Sequence, residues 1–248
     1  MHKALLVSDL HLESSRPDIT SSFFSFLQSV RGQCDALYIL GDLFELWIGD
    51  DEESHLSSSV ANELSLLQSS GTPIYLMHGN RDFLIGSDFS TQCGAQLIEE
   101  PYILELGSQR IVLLHGDVLC SGDTDYMEFR AMVRQQAWQS EFRSRSLEDR
   151  QAFAAHAREQ SQYATSTKSS EIMDVSPDEV TRLLQKLQLI SMIHGHTHRP
   201  AVHTLDLPDP IQGVTQAKRV VLGDWDKQGW CGVVTDSGIT LEQLPPHT

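Results

Sequence analysis

Two histidines two residues apart, His196 and His198, lie in the stretch Ile193, His194, Gly195, His196, Thr197, His198, Arg199, Pro200. An apolar run launches them, and Gly and Pro brake the chain after it. Both imidazoles can therefore be aimed at one point beyond a strand end, which is ligand geometry for a metal ion. The same grammar recurs four times. Asp9 and His11 follow the apolar run 4–7, Asp42 follows 36–40 and Gly41, and His78, Gly79, Asn80, Arg81, Asp82 follow 73–77. His115, Gly116 and Asp117 follow 111–114.

Such short, continuous apolar runs suit strands buried on both faces. Between them the spacing predicts helices. Ile19, Phe23, Leu27 and Val30 recur at helical intervals ahead of Gly32, and Leu64 and Leu67 precede Gly71. Ser176, Pro177 and Glu179 read as a helix start with a capping box, and Val180, Leu183, Leu184 and Leu187 supply the apolar stripe. A fifth strand follows over 189–193, and beyond Pro210 the runs 219–222, 232–234 and 239–241 predict antiparallel strands.

Residues just past the carboxyl ends of parallel strands in an open sheet converge on one crevice. Five such ends gather Asp9, His11, Asp42, Asn80, His115, His196 and His198. This donor set holds oxygen and nitrogen only. It is too large for one tetrahedral zinc and suits two cations that share a carboxylate. A structural alternative exists at each position: Asp9 as a helix cap, Asn80 in a turn, His115 packed beside a sheet. It does not account for recurrence at five strand ends.

A chain of 248 residues with 40% hydrophobic content can bury a full core in one domain. Its net charge of −16 argues against a nucleic-acid footprint. Cys34, Cys93, Cys120 and Cys231 are widely spaced and form no C-x-x-C pair, which predicts reduced thiols and a cytoplasmic protein. The initial apolar run is too short for a signal peptide, and no stretch is long enough to span a membrane. Residues 122–168 break the alternation. Tyr126, Phe129, Val133, Ala137, Trp138 and Phe142 fall at helical spacing there, which predicts an inserted helical cap over 122–170 on a core of 1–121 and 171–248.

Taken together, D-x-H, G-D, G-N-R-D, H-G-D and G-H-T-H resemble the calcineurin-like metallophosphoesterase family. The resemblance implies an α/β fold, two stacked mixed sheets flanked by helices. It also implies one metal on Asp9, His11, Asp42 and His198, a second on Asp42, Asn80, His115 and His196, and in-line attack of a metal-bridging water on phosphorus. The commoner family block has His where this chain has Arg81. Arginine can neutralise phosphate but cannot donate a proton at working pH, so the leaving group must need little protonation, as in a pyrophosphate.

The runs 41–45, 47–51, 78–83 and 194–202 resemble more closely the pyrophosphohydrolases of lipid A synthesis. Those enzymes use manganese to cleave a lipid-linked UDP-sugar, UDP-2,3-diacylglucosamine, at the α-phosphorus. The products are UMP and 2,3-diacylglucosamine 1-phosphate. The resemblance implies two Mn2+ per chain and a peripheral position on the inner face of the inner membrane, with no nucleic acid and no obligate protein partner. It places Asn80, Arg81 and His196 in catalysis, and substrate contacts on Asn80, Arg81, Asp123, Ser161, Thr165, Lys168 and His196, with Thr165 where Asn is commoner. Ten buried acyl methylenes would contribute roughly 8 kcal/mol, and Tyr126, Phe129, Met132, Val133, Trp138, Phe142 and Phe153 are candidates to line their chamber. Two alternatives stand beside this reading: a soluble nucleotide pyrophosphatase or phosphodiesterase on the same core, and a non-catalytic scaffold.

Overall fold

The computed structural model describes residues 2–167 and 174–246, with the side chains of 160–167 outside the description. Two sheets stack face to face. The first has the order β11-β10-β1-β2-β3-β4, and the second β5-β6-β7-β9-β8. In the first, β1 (Lys3–Val7), β2 (Ala36–Leu40), β3 (Ile74–Met77) and β4 (Ala95–Ile98) run parallel, and β10 (Gln228–Thr235) and β11 (Gly238–Pro246) add an antiparallel edge. In the second, β6 (Gln109–Leu114), β7 (Ser191–His194) and β9 (Val214–Val221) are parallel, between antiparallel β5 (Tyr102–Leu106) and β8 (Ala201–Ile211).

Period-two alternation explains the layers. On β1, Ala4 and Leu6 point into the core between the sheets, where they meet Leu113, Ile193 and Val220. Leu5 and Val7 point outward to a second core beneath α1 (Pro17–Val30), α2 (His55–Ser69) and α3 (Ser87–Cys93). Outside the second sheet, Met192 and Ala217 pack on Val180 and Leu184 of α7 (Pro177–Leu187).

The predicted strands at 4–7, 36–40, 73–77, 111–114 and 189–193 are present, but they do not belong to one open sheet. The first three lie in one sheet and the last two in the other. Three strands escaped the sequence. β4 and β5 are partly exposed and lack a continuous apolar run. β8 contains Pro208 and Pro210, tolerated because it is an edge strand whose pairing with β9 lapses between Asp206 and Ile211. The capping box at Ser176 is half formed. Ser176 Oγ accepts from the Glu179 amide, while the Glu179 carboxylate pairs with Arg182.

Residues 124–167 fold as α4 (Thr124–Val133), α5 (Gln136–Arg143) and α6 (Leu147–Thr167), with a break after Val133 where the spacing suggested continuity. Trp138 stacks on Phe142 and packs against Phe153 and Phe83 of the β3–α3 loop, Phe142 meets Phe153 edge-on, and Val133 is buried. Those four chamber candidates therefore serve packing. Met132 is 41% exposed and Phe129 is half-buried.

Loops after β2 and β3 are tied by Asp50, whose carboxylate accepts from Trp47 Nε1 (3.0 Å) and from the amides of Gly86 (2.9 Å), Asp88 (3.0 Å) and Phe89 (3.1 Å). Asp50→Ala removes the cap of α3 and orphans the indole. We expect a loss of about 3 kcal/mol in urea unfolding; a loss under about 1 kcal/mol contradicts this role.

Candidate metal centre

The loops that leave five strand ends are zipped together by their backbones. Asp9 and His11 amides donate to the carbonyls of Gly41 (3.1 Å) and Asp42 (3.0 Å), and the Gly195 amide donates to His115 (2.8 Å). The two sheets are joined at Asp9, whose carboxylate accepts from the His196 amide at 2.9 Å. Asp9, His11, Asp42, His196 and His198 all have left-handed φ, between 49° and 67°. Gln188 and Gln212 are the other non-glycine residues in that region among those described. Each such residue costs on the order of 1–3 kcal/mol and persists only where its surroundings over-determine it. Gly79 permits the closest approach, since a Cβ there would lie 2.1 Å from Asp42 Oδ1.

The side chains converge. His11 Nε2 lies 3.1 Å from His198 Nε2 and 3.7 Å from Asp42 Oδ2, while His198 Nε2 lies 3.5 Å from Asp9 Oδ1. His115 Nε2 lies 3.8 Å from Asp42 Oδ2, so this carboxylate oxygen faces both His11 and His115. Asn80 Oδ1 is 2.9 Å from both His115 Nε2 and His196 Nδ1. Thus all seven residues singled out by spacing are brought together. Two groups, Asp9 with His11 and His198, and Asp9 with Asp42 and His115, each hold donor atoms within 4.8 Å of one another.

The outer nitrogens test whether this set fits a metal. His11 Nδ1 is 2.7 Å from Glu45, His198 Nδ1 is 3.3 Å from Asp224, and His115 Nδ1 is 2.9 Å from the Leu40 carbonyl. An oxygen near each Nδ1 favours the tautomer whose Nε2 lone pair faces Asp9 and Asp42, the arrangement that metal-bound histidines require. Buried carboxylates, imidazoles and an amide suit divalent cations.

A family profile described as calcineurin-like phosphoesterase matches residues 2–200. The chain belongs to this family. It is a metallophosphoesterase-type hydrolase. Relatives named UDP-2,3-diacylglucosamine hydrolase include one from Cellvibrio japonicus (strain Ueda107), 49% identical over 96% of this chain and 97% of its own length. One from Hahella chejuensis (strain KCTC 2396) is 48% identical over 97% and 96%. One from Pseudomonas savastanoi pv. phaseolicola is 44% identical over 97% and 95%.

In this phosphoesterase the remaining predicted residues are placed as follows. Arg81 is half-buried and its guanidinium makes no hydrogen bond or ion pair among the described residues; its amide donates to Asp42 Oδ1 at 2.8 Å. Asp123 caps α4 by accepting from the Tyr126 amide at 3.1 Å. The side chains of Ser161 and Thr165, and all of Lys168, lie outside the described residues. None of the four cysteines is in a disulfide, and among the described residues no helix is long and apolar enough to cross a membrane.

Spacing missed the supporting residues. Buried Asp82 accepts from the amides of Leu43 (2.7 Å) and Gly79 (2.8 Å) and so fixes the turn that carries Asp42. Ser8 Oγ donates to Asp9 at 2.6 Å. Tyr126 stacks on His196 and donates to Asp117, which also accepts from Arg130. Asp224 had a signal: Gly223 and Asp224 follow the run 219–222, as Gly41 and Asp42 follow 36–40.

Electrostatics make the cluster a proton store when no cation is bound. Burial lowers the pKa of His198 and His115, but carboxylates reverse this. Asp224 and Asp9 carry His198 to about 10, and Asp42, Asp117 and Asp9 carry His115 to about 9. Both values lie above the ordinary 6.5, so these protons stabilise the metal-free fold below pH 6.5 and that stability is lost as pH rises through 9 to 10. Cations require neutral imidazoles, and the pKa of His11 is raised as well, so binding near pH 7.5 should release at least about two protons per chain. Calorimetric titration in buffers of different ionisation enthalpy measures this; identical heats in all buffers would refute it.

Proposed function

We propose that this enzyme hydrolyses the pyrophosphate bond of UDP-2,3-diacylglucosamine at the α-phosphorus, giving UMP and 2,3-diacylglucosamine 1-phosphate. The observation that carries the reading is the likeness to hydrolases of that name over 96–97% of the chain, which takes in helices α4–α6 as well as both sheets. Arg81 supports it, because a half-buried guanidinium next to Asn80 can hold phosphate charge but cannot protonate an alkoxide.

Two divalent cations, manganese in this reading, would be held by Asp9, His11, Asp42 and His198 and by Asp42, Asn80, His115 and His196. Bound there, they would supply positive charge to phosphoryl oxygens and acidify water. The chain's own residues do the rest. Asn80 Oδ1 lies 2.9 Å from both His115 Nε2 and His196 Nδ1, so the three donor atoms face one point. Tyr126 covers the His196 ring, and Arg134 of α4's end donates to the Gly79 carbonyl at 2.9 Å, so the helical segment is seated on the loop that carries Asn80 and Arg81. In this reading α4–α6 form a cap for the acylated sugar, with Asp123, Ser161, Thr165 and Lys168 as contacts, and the enzyme meets its substrate at the membrane surface.

Hydrolysis in 18O-enriched water with manganese tests this. We expect label in UMP and turnover that falls on the order of 10²-fold or more when UDP-N-acetylglucosamine replaces the diacylated substrate. Label in the sugar phosphate overturns the site of attack. Equal turnover of both substrates favours a general nucleotide pyrophosphatase.

A further inference from the structure

Helix α6 is anchored twice to the loop that follows β2, and the two anchors differ in kind. At its start, Arg150, 2% exposed, donates to the Ile48 carbonyl at 2.8 Å and pairs with both oxygens of Asp51. Gln151 adds a bond to Glu52 at 2.8 Å. Among the described residues, none of these partners makes a hydrogen bond or ion pair to a candidate metal ligand. Two turns later Arg158 Nη2 meets Glu45 Oε1 at 3.0 Å, and the other oxygen of the same carboxylate is 2.7 Å from His11 Nδ1. Glu45 is only 13% exposed, and with Asp9, His11, Arg158, His198 and Asp224 it lines a cavity of about 210 Å³.

One largely buried carboxylate therefore lies against an imidazole on one side and pairs with a helix on the other. We propose that Glu45 is a positioning residue which couples cation binding at Asp9, His11 and His198 to the seating of α6 through Arg158. This rests on the reading that the cluster holds a divalent cation. A cation on Nε2 fixes the His11 ring, and the ring fixes Glu45 through Nδ1. The immobilised carboxylate then offers Arg158 a ready partner. Linkage is reciprocal: if the cation favours the seated helix, the seated helix favours the cation by the same factor.

The test uses the full chain without substrate, with manganese affinity from calorimetry and hydrogen exchange over 147–159. In wild type, manganese should slow exchange in α6. Glu45→Gln should weaken manganese about 10-fold or more. Arg158→Met, one contact further out, should weaken it roughly threefold and abolish the manganese-dependent protection. Arg150→Met should speed α6 exchange at every manganese concentration and leave affinity within about twofold, which separates linkage from mere loosening. Wild-type affinity in Arg158→Met, or α6 exchange indifferent to bound manganese, overturns the coupling alone. Absence of manganese binding by the wild type overturns both this inference and the metal reading beneath it.

Discussion

Asp42→Asn should cut hydrolysis by about 10³-fold and leave the metal-free fold as stable as before. The carboxylate is buried, and one of its oxygens faces His11 and His115 at 3.7 and 3.8 Å. Asn80 Oδ1 is set as evenly between His115 and His196, but it carries no charge. Outer-sphere partners of a metal cost 10–100-fold when removed, and the loss of charge at a shared ligand costs more. Stability follows a different sign. Burial, the largest influence, raises the pKa of Asp42, so its charge opposes the metal-free fold. Asparagine has the same shape and can still accept from the Arg81 amide. Melting in chelator should thus stay within about 3 °C of wild type, where 1 kcal/mol corresponds to about 2–4 °C. Wild type should gain on the order of 2.7 kcal/mol with manganese at 100 times its dissociation constant, and the variant should lose most of that gain. Activity within tenfold of wild type, or a fall of more than about 6 °C in chelator, contradicts the role.

The donors were legible in the sequence and their supports were not, for a physical reason. A ligand at the end of a fully buried strand is announced by the continuous apolar run before it, as Asp9, Asp42 and His115 are. Glu45, Asp224 and Glu100, which accepts from the His115 amide at 3.1 Å, are selected by proximity in three dimensions, and one carboxylate among thirty-four acidic side chains carries no mark of it. Asp224 was the exception with a trace, a Gly-Asp pair at a strand end. The left-handed turns at Asp9, His11, Asp42, His196 and His198 were equally silent, because the residues that occupy them are not glycine. Periodicity gave the strands but could not divide them between two sheets; the resemblance did that. Edge strands β4, β5 and β8 were lost because partial exposure and proline erase the pattern that identifies a buried strand.

Arg81 gives the second large effect, a change of leaving-group preference. Its backbone is clamped beside the cluster: its amide donates to Asp42 and its carbonyl accepts from the Trp47 amide at 3.1 Å. Arg81→His keeps that clamp and exchanges a permanent charge for a group that can donate a proton. Pyrophosphate cleavage, which needs charge neutralisation and little protonation, should fall on the order of 10²-fold. A phosphodiester with an alkoxide leaving group should accelerate, because a positioned acid contributes about 10²–10⁴-fold. That gain should vanish as pH rises through the imidazole pKa, since only the protonated ring donates, whereas the Arg81 enzyme should show no such limb. Arg81→Lys separates charge from shape: it keeps the cation, loses the planar fork, and should retain the pyrophosphate preference at reduced rate. Turnover of both substrates that changes by one common factor in Arg81→His would mean that Arg81 binds substrate without selecting its leaving group. The preference for an anhydride would then have to come from the helices that hold the sugar.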